Sequence, residues 1–202
     1  MTPCHAAIMS KVLPIIAFIS LFCVACTDTT GLSAETSREP HGNPNGVVTV
    51  VEFSDLQCPA CRGVHLGIVP PIVEEFAASV RFEFRHFPLS YHEHALSAAM
   101  AVECAADQGK FWEYIDIAFT NQADLSEGAL KTWALSLGLD TNLFTRCLES
   151  EIKKDIVLAD YSAGREVGVP GTPSFFIDGE KVSTGELRDA IASAIAKRIQ
   201  KL

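Results

Sequence analysis

The chain has 202 residues, 48% of them hydrophobic and 20% charged, enough apolar material for one core or for one domain with a large insertion, and too much for a disordered or collagenous chain. Sixteen Lys plus Arg against 25 Asp plus Glu give a net charge of −9, which argues against a protein that grips a phosphate backbone by charge. Seven cysteines are many for a reduced cytosolic domain of this size and too few for a disulfide-dense mini-scaffold, so cysteine chemistry is the first question.

From Val12 to Ala25 an uncharged apolar run, VLPIIAFISLFCVA, follows Lys11 and precedes a polar stretch. It falls short of the roughly 20 residues that a membrane-spanning helix needs. Its length and flanks match a secretory signal covering residues 1–25, with Lys11 as the positive end, Ala25 before the cleavage point and Met9 as an alternative start. The segment CVAC ending at Cys26 resembles a bacterial lipobox, which would make Cys26 a lipidated N-terminus; Cys23 stands where Leu is commonest, and plain cleavage is the other reading. Residues 26–46 are rich in Thr, Ser, Gly, Pro and Asn without apolar periodicity, which predicts a flexible linker and a folded part beginning near Val47.

Val47 to Phe53 (VVTVVEF) reads as a strand buried on both faces. Ser54-Asp55-Leu56-Gln57 follows, then Cys58-Pro59-Ala60-Cys61. Pro59 suits the first turn of a helix, where its missing N–H costs nothing, and so places Cys58 at the helix N-terminus. The unpaired backbone N–H groups and the positive dipole end there favour thiolate over thiol, which makes Cys58 the expected nucleophile. Cys61, one turn later, is placed to attack a mixed disulfide on Cys58 and is the expected resolving cysteine. Two other readings of the pair are half of a zinc site, for which His92-Glu93-His94 would have to supply ligands, and a purely structural bridge. A helix continues from Val64 to Phe76 with Pro70-Pro71 kinking or dividing it. Val80 to Phe87 alternates cleanly and completes a strand, helix, strand unit with a right-handed crossover.

From His92 the pattern is helical for about 75 residues. Helices are predicted at His94 to Ala106, Phe111 to Phe119, Leu125 to Leu137 with Gly138 as cap, Leu143 to Leu148, and Ile152 to Val167. Residues 92–168 thus form an all-helical block inserted between strand-forming halves, with Phe111, Trp112, Tyr114, Trp133 and Phe144 as its core. Cys104 and Cys147 fall in this block; with the other cysteines assigned to the signal, Cys26 and the reactive pair, they are candidates for a structural disulfide. Closing a loop of about 43 residues would contribute roughly 4 kcal/mol in the chain-entropy model. The alternative is two small buried hydrophobes.

Val169-Pro170-Gly171-Thr172-Pro173 precedes a strand, Ser174 to Ile177, and Asp178-Gly179 signals a hairpin into Lys181-Val182. Ser183 with Glu186 reads as a capping box, and the closing helix carries Leu187, Ile191, Ile195 and Ile199 on one stripe. His65, His86, His92 and His94 read as ordinary surface or core histidines.

VEFSDLQCPAC after a strand, a helical insert, and VGVPGTPSFFIDG near the end together resemble the DsbA-like branch of the thioredoxin superfamily, over about Val47 to Lys197. The resemblance implies an α/β thioredoxin fold, residues 47–91 and 169–202, with the all-helical domain inserted. It implies a cis peptide before Pro173 beside the reactive disulfide and a backbone at Thr172 available to an extended substrate chain. Glu52, six residues before Cys58, stands where the superfamily places a buried carboxyl, and so is the implied proton shuttle for Cys61. The implied activity is thiol:disulfide exchange on exported proteins with no cofactor and no metal. Three functions stay open: an oxidase that introduces disulfides, a reductase or isomerase, and a non-redox client-binding lipoprotein. Isomerases of this superfamily dimerise through an added N-terminal domain, and the short segment before Val47 therefore suggests a monomeric oxidase, re-oxidised by a DsbB-type membrane protein. Pro59 and Ala60 between the cysteines leave the potential open.

Overall fold

The structure, a computed structural model, describes residues 28–200. The expected signal and Cys26 lie outside them. Five strands and eight α-helices follow in the order β1 (His41–Gly42), β2 (Val48–Ser54), α1 (Pro59–Gly67), α2 (Val69–Glu75), β3 (Val80–His86), α3 (Ala95–Ala106), α4 (Phe111–Thr120), α5 (Glu127–Ser136), α6 (Thr141–Glu149), α7 (Lys154–Glu166), β4 (Ser174–Ile177), β5 (Glu180–Val182) and α8 (Leu187–Ile199), all within the described residues. The sheet runs β1-β3-β2-β4-β5. β2 pairs parallel to β3 and antiparallel to β4, so β2, which carries the chain into the cysteine turn, is central and its side chains are covered on both faces.

The expected helix over residues 64–76 is divided at Ile68, where the chain leaves α1 and re-enters α2 just before Pro70. The five helices between β3 and β4 match the predicted helical block, and Phe111, Tyr114, Trp133 and Phe144 are buried in its core. Trp112 is only partly buried and packs against both this core and the sheet core, so it belongs to the seam between the two. Cys104 on α3 and Cys147 on α6 are joined by a disulfide, their Cα atoms 5.9 Å apart. The hairpin turn is made by Asp178 and Gly179, both at positive φ, as a two-residue turn between right-twisted strands requires.

Three expectations change. The segment expected as a flexible linker is packed from Asp28 onward: Arg146 Nη1 donates to the Asp28 carboxylate at 3.1 Å, Arg38 reaches Glu103 on α3 and Asp160 on α7, the Trp112 indole donates to the Glu39 carbonyl at 2.9 Å, and His41–Gly42 adds an antiparallel edge strand to β3. Composition missed this because the partners are single polar groups on distant helices, which leave no periodic trace. Ser183 does not cap through its hydroxyl, which donates instead to the Glu186 carboxylate at 2.6 Å while a short 3-10 turn, Thr184–Glu186, leads into α8. The α8 stripe is buried at Leu187 and Ile191 but open at Ile199, 62% exposed, where the helix outruns the sheet.

Where α7 of the helical block meets the sheet side, the approach is close. A Cβ at Gly164 on α7 would stand 2.7 Å from the Phe87 ring and 3.0 Å from that of Phe53. Gly164→Ala is therefore expected to lower stability, since overpacking costs about 1–3 kcal/mol and outweighs the ~1 kcal/mol of helix propensity that Ala adds. Urea denaturation checks this, and a midpoint at or above that of the parent would refute it.

Candidate active site

Cys58 is the N-cap of α1, with extended backbone (φ −78°, ψ 120°) and Pro in the first turn. Its Sγ therefore sits beside the unpaired N–H groups of the first turn. Cys58 is 8% exposed and Cys61 not at all; both are buried free thiols. Facing them is the loop before β4, in which the Thr172–Pro173 peptide is cis and the Thr172 carbonyl accepts from the Cys58 thiol at 3.5 Å.

Three polar side chains near the cysteine turn are buried without hydrogen-bond partners. Glu52, paired in register with Phe84 on one side and Phe175 on the other, has no exposed surface. Neither of its carboxyl oxygens makes a hydrogen bond, and Ser54 Oγ and Thr172 Oγ1 are buried without partners as well. Burial pushes the Glu52 carboxyl above the usual carboxylate range, with the charge of His65 and the nearby Ser54 hydroxyl opposing it only in part. Burial likewise pushes the Cys61 thiol up to about 12, against the opposing influence of Ser54, Thr172 and the Asp55 backbone. Cys61 thus keeps its proton at neutral pH unless a base inside the protein removes it.

A polar frame that the sequence reading did not single out holds the turn. The buried Asp55 carboxylate accepts from Gln57 N (2.7 Å), Leu89 N (2.8 Å) and His92 Nδ1 (2.8 Å). The Asp55 backbone N–H points at Cys61 Sγ, 3.5 Å away, and its carbonyl accepts from Cys58 N at 3.0 Å. Gln57 Oε1 accepts from His94 N at 2.7 Å. From α4's end, Gln122 Nε2 donates to the carbonyls of Leu56 (2.7 Å) and Cys58 (2.9 Å). Asp55 followed by Gln57 has the form of an Asx turn and was readable in principle; Gln122, 64 residues from Cys58, left no local signal. His92 is thus more than an ordinary surface histidine, since its ring is engaged by Asp55.

The thioredoxin family model matches residues 34–197. A thioredoxin-like oxidoreductase from Silicibacter pomeroyi DSS-3 superposes with a TM-score of 0.68 at 30% identity, covering 76% of this chain and 89% of that one. DsbA2 from Pseudomonas aeruginosa superposes with a TM-score of 0.62 at 26% identity, covering 76% of this chain and 91% of that one. Among curated proteins, the Na(+)/H(+) antiporter NhaA 3 of Salinispora tropica is 36% identical over 152 residues, 73% of this chain but 22% of that protein. The chain therefore spans about a fifth of the length of such relatives.

Proposed function

This chain belongs to the thioredoxin family, in its DsbA-like branch, and we propose that it is an exported thiol:disulfide oxidoreductase that introduces disulfides into extracytoplasmic proteins through Cys58 and Cys61. The observation that carries this reading is the asymmetry of the pair: Cys58 at the helix N-terminus and 8% exposed, Cys61 one turn on and completely covered. A client thiolate attacks Cys58 Sγ of the oxidised pair, and the Cys61 sulfur leaves and takes up a proton supplied by Glu52. A second client thiolate then attacks the client sulfur of the mixed disulfide and releases Cys58 as thiolate, the form that the helix N-terminus favours. The Thr172–Pro173 segment lies against Cys58 and offers backbone to an extended client.

Export rests on the apolar run before Ala25, and lipidation of Cys26 would tether the enzyme to the envelope; among the described residues no helix is long and apolar enough to cross a membrane. Re-oxidation by a quinone-linked membrane protein of the DsbB type completes the cycle. The deciding measurement is the reduction potential of Cys58/Cys61 by equilibration with glutathione and thiol trapping. A value near the roughly −120 mV of DsbA is expected; one near the roughly −270 mV of thioredoxin would make this an exported reductant instead.

A further inference from the structure

Negative charge develops on the Cys61 sulfur in both directions of exchange, as leaving group when the disulfide opens and as nucleophile when it closes. Cys61 has no exposed surface, so bulk water does not solvate that charge, and the free N–H groups of the helix N-terminus lie beside Cys58. A donor from outside the helix does reach this sulfur: the backbone N–H of Asp55, 3.5 Å from Cys61 Sγ. The Asp55 carbonyl accepts from Cys58 N at 3.0 Å, so the backbone of this one residue touches both cysteines. Its side chain is what holds it there. Oδ1 accepts from Gln57 N at 2.7 Å, and Oδ2 accepts from Leu89 N and from His92 Nδ1, each at 2.8 Å. Both oxygens face backbone donors, and a carboxylate satisfies them all, whereas an amide would turn its NH2 group against an N–H. The nitrogen that His92 presents to the carboxylate carries its proton for the same reason. The Asp55 side chain is fully covered and that of His92 is 15% exposed, with the Tyr91 ring set edge-on to the imidazole, centroids 4.6 Å apart.

We propose that the Asp55 N–H is the hydrogen-bond donor that stabilises negative charge on the Cys61 sulfur during exchange, and that the Asp55 carboxylate and His92 are the positioning groups that keep it aimed. This deepens the exchange reading of Cys58 and Cys61 and rests on it. When the reduced protein meets glutathione disulfide, the Cys58 thiolate attacks one glutathione sulfur and expels the other glutathione as thiolate. In the closing step the Cys61 sulfur, its proton passed to the base of that reading, Glu52, attacks the Cys58 sulfur: the Cys58–Cys61 bond forms, the Cys58–glutathione bond breaks, and glutathione leaves with the electron pair as a thiolate that solvent protonates. Two protein thiols are oxidised and one glutathione disulfide is reduced to two thiols. A hydrogen bond to an ionised acceptor is roughly twice as strong as one to a neutral acceptor, and a donor already in place needs no reorganisation as the charge forms. At rest Cys61 is a thiol or half of a disulfide, both neutral, so the stabilisation falls on the transition state and acts on closing and opening alike.

Rapid mixing of the whole reduced chain with glutathione disulfide, acid quenching and mass spectrometry of the fragment carrying Cys58 and Cys61 separates capture at Cys58 from closure by Cys61; glutathione added to the oxidised chain gives the rate of opening. Asp55→Asn is expected to slow closing and opening by one factor, at least about tenfold, and to leave capture and the equilibrium with glutathione unchanged. His92→Leu is expected to slow both steps by less, and His92→Asn, whose amide nitrogen can stand where Nδ1 does, to restore them. If Asp55→Asn does not fold, the two His92 variants decide. Closure at the parent's rate in Asp55→Asn or in His92→Leu would overturn the proposal and leave the exchange reading standing, and so would His92→Asn as slow as His92→Leu. Capture slowed as much as closure, or a shifted equilibrium, would mark a distorted turn and overturn it too. A parent chain that is captured at Cys61, or that never closes, would remove the exchange reading and the proposal with it.

Discussion

Cys61→Ala is expected to accumulate a stable mixed disulfide on Cys58 when incubated with glutathione disulfide or with a client peptide disulfide, while Cys58→Ala loses exchange down to the level of free buffer thiols. The reason is positional. Cys58 Sγ lies at the helix N-terminus, where orphaned N–H groups stabilise a thiolate, and Cys58 is the one residue of the pair with any exposure, 8%. Cys61 is fully buried, with its thiol pushed up to about 12 by burial; it neither meets an incoming disulfide nor ionises readily, yet it sits one turn away from any adduct formed on Cys58. Removing Cys58 therefore removes capture, and removing Cys61 removes only resolution. Non-reducing mass spectrometry after alkylation distinguishes the two. Exchange that survives in Cys58→Ala, or an adduct that forms on Cys61, would reverse the assignment; function retained in cells by Cys58→Ala would favour a non-redox client binder.

The second large effect concerns the segment before the sheet. Arg38 Nη2 donates to Asp160 Oδ1 at 2.8 Å and Arg38 Nη1 to Glu103 Oε1 at 2.9 Å, and both carboxylates are buried. Thr36 and His86 supply further bonds to Glu103, and Arg85 and the His86 backbone to Asp160. Burial works to raise both carboxyls, but for Glu103 the His86 bond and the charges of His86 and Arg38 outweigh it, and for Asp160 the bonds and charge of Arg38 do, so both lie below the usual carboxylate range. Arg38→Ala leaves two buried carboxylates short of their cation, and breaking a buried pair from one side costs about 3–5 kcal/mol. Urea denaturation at neutral pH is the measurement; a midpoint like that of the parent would show the segment to be dispensable.

The same network predicts how the parent responds to acid. A carboxylate held below its unfolded value contributes stability that is fully present above that value, roughly pH 4, and is lost as pH falls through the folded value. The parent should therefore lose stability below about pH 4. Arg38→Ala should lose less over that range, because its carboxylates have lost the Arg38 share of what keeps them charged, so the gap between the two proteins narrows as pH falls.

Much of this was readable from spacing. The Cys58 to Cys61 interval with Pro59 between them, the β-branched run ahead of it and the 3.6-residue periodicity from His94 to Glu166 are local features, each complete within a few turns of chain, and the elements lie within a few residues of where they were expected. The packed segment from Asp28 to Gly42 was not readable, because Arg38 finds its partners 65 and 122 residues away. A sequence shows that Arg38 is charged; only the fold shows that it stands over two buried carboxylates.

By itself, then, the sequence placed Cys58 at the start of a helix that follows a strand and Cys61 one turn further on, since these depend on torsion preferences and on orphaned N–H groups within one turn. The tertiary structure alone decided that Thr172, 114 residues on, turns its carbonyl to Cys58, that Cys104 meets Cys147, and that Glu52 is covered completely. The proton chemistry follows from desolvation, and desolvation is set by whatever packs over a group, which no spacing along the chain encodes.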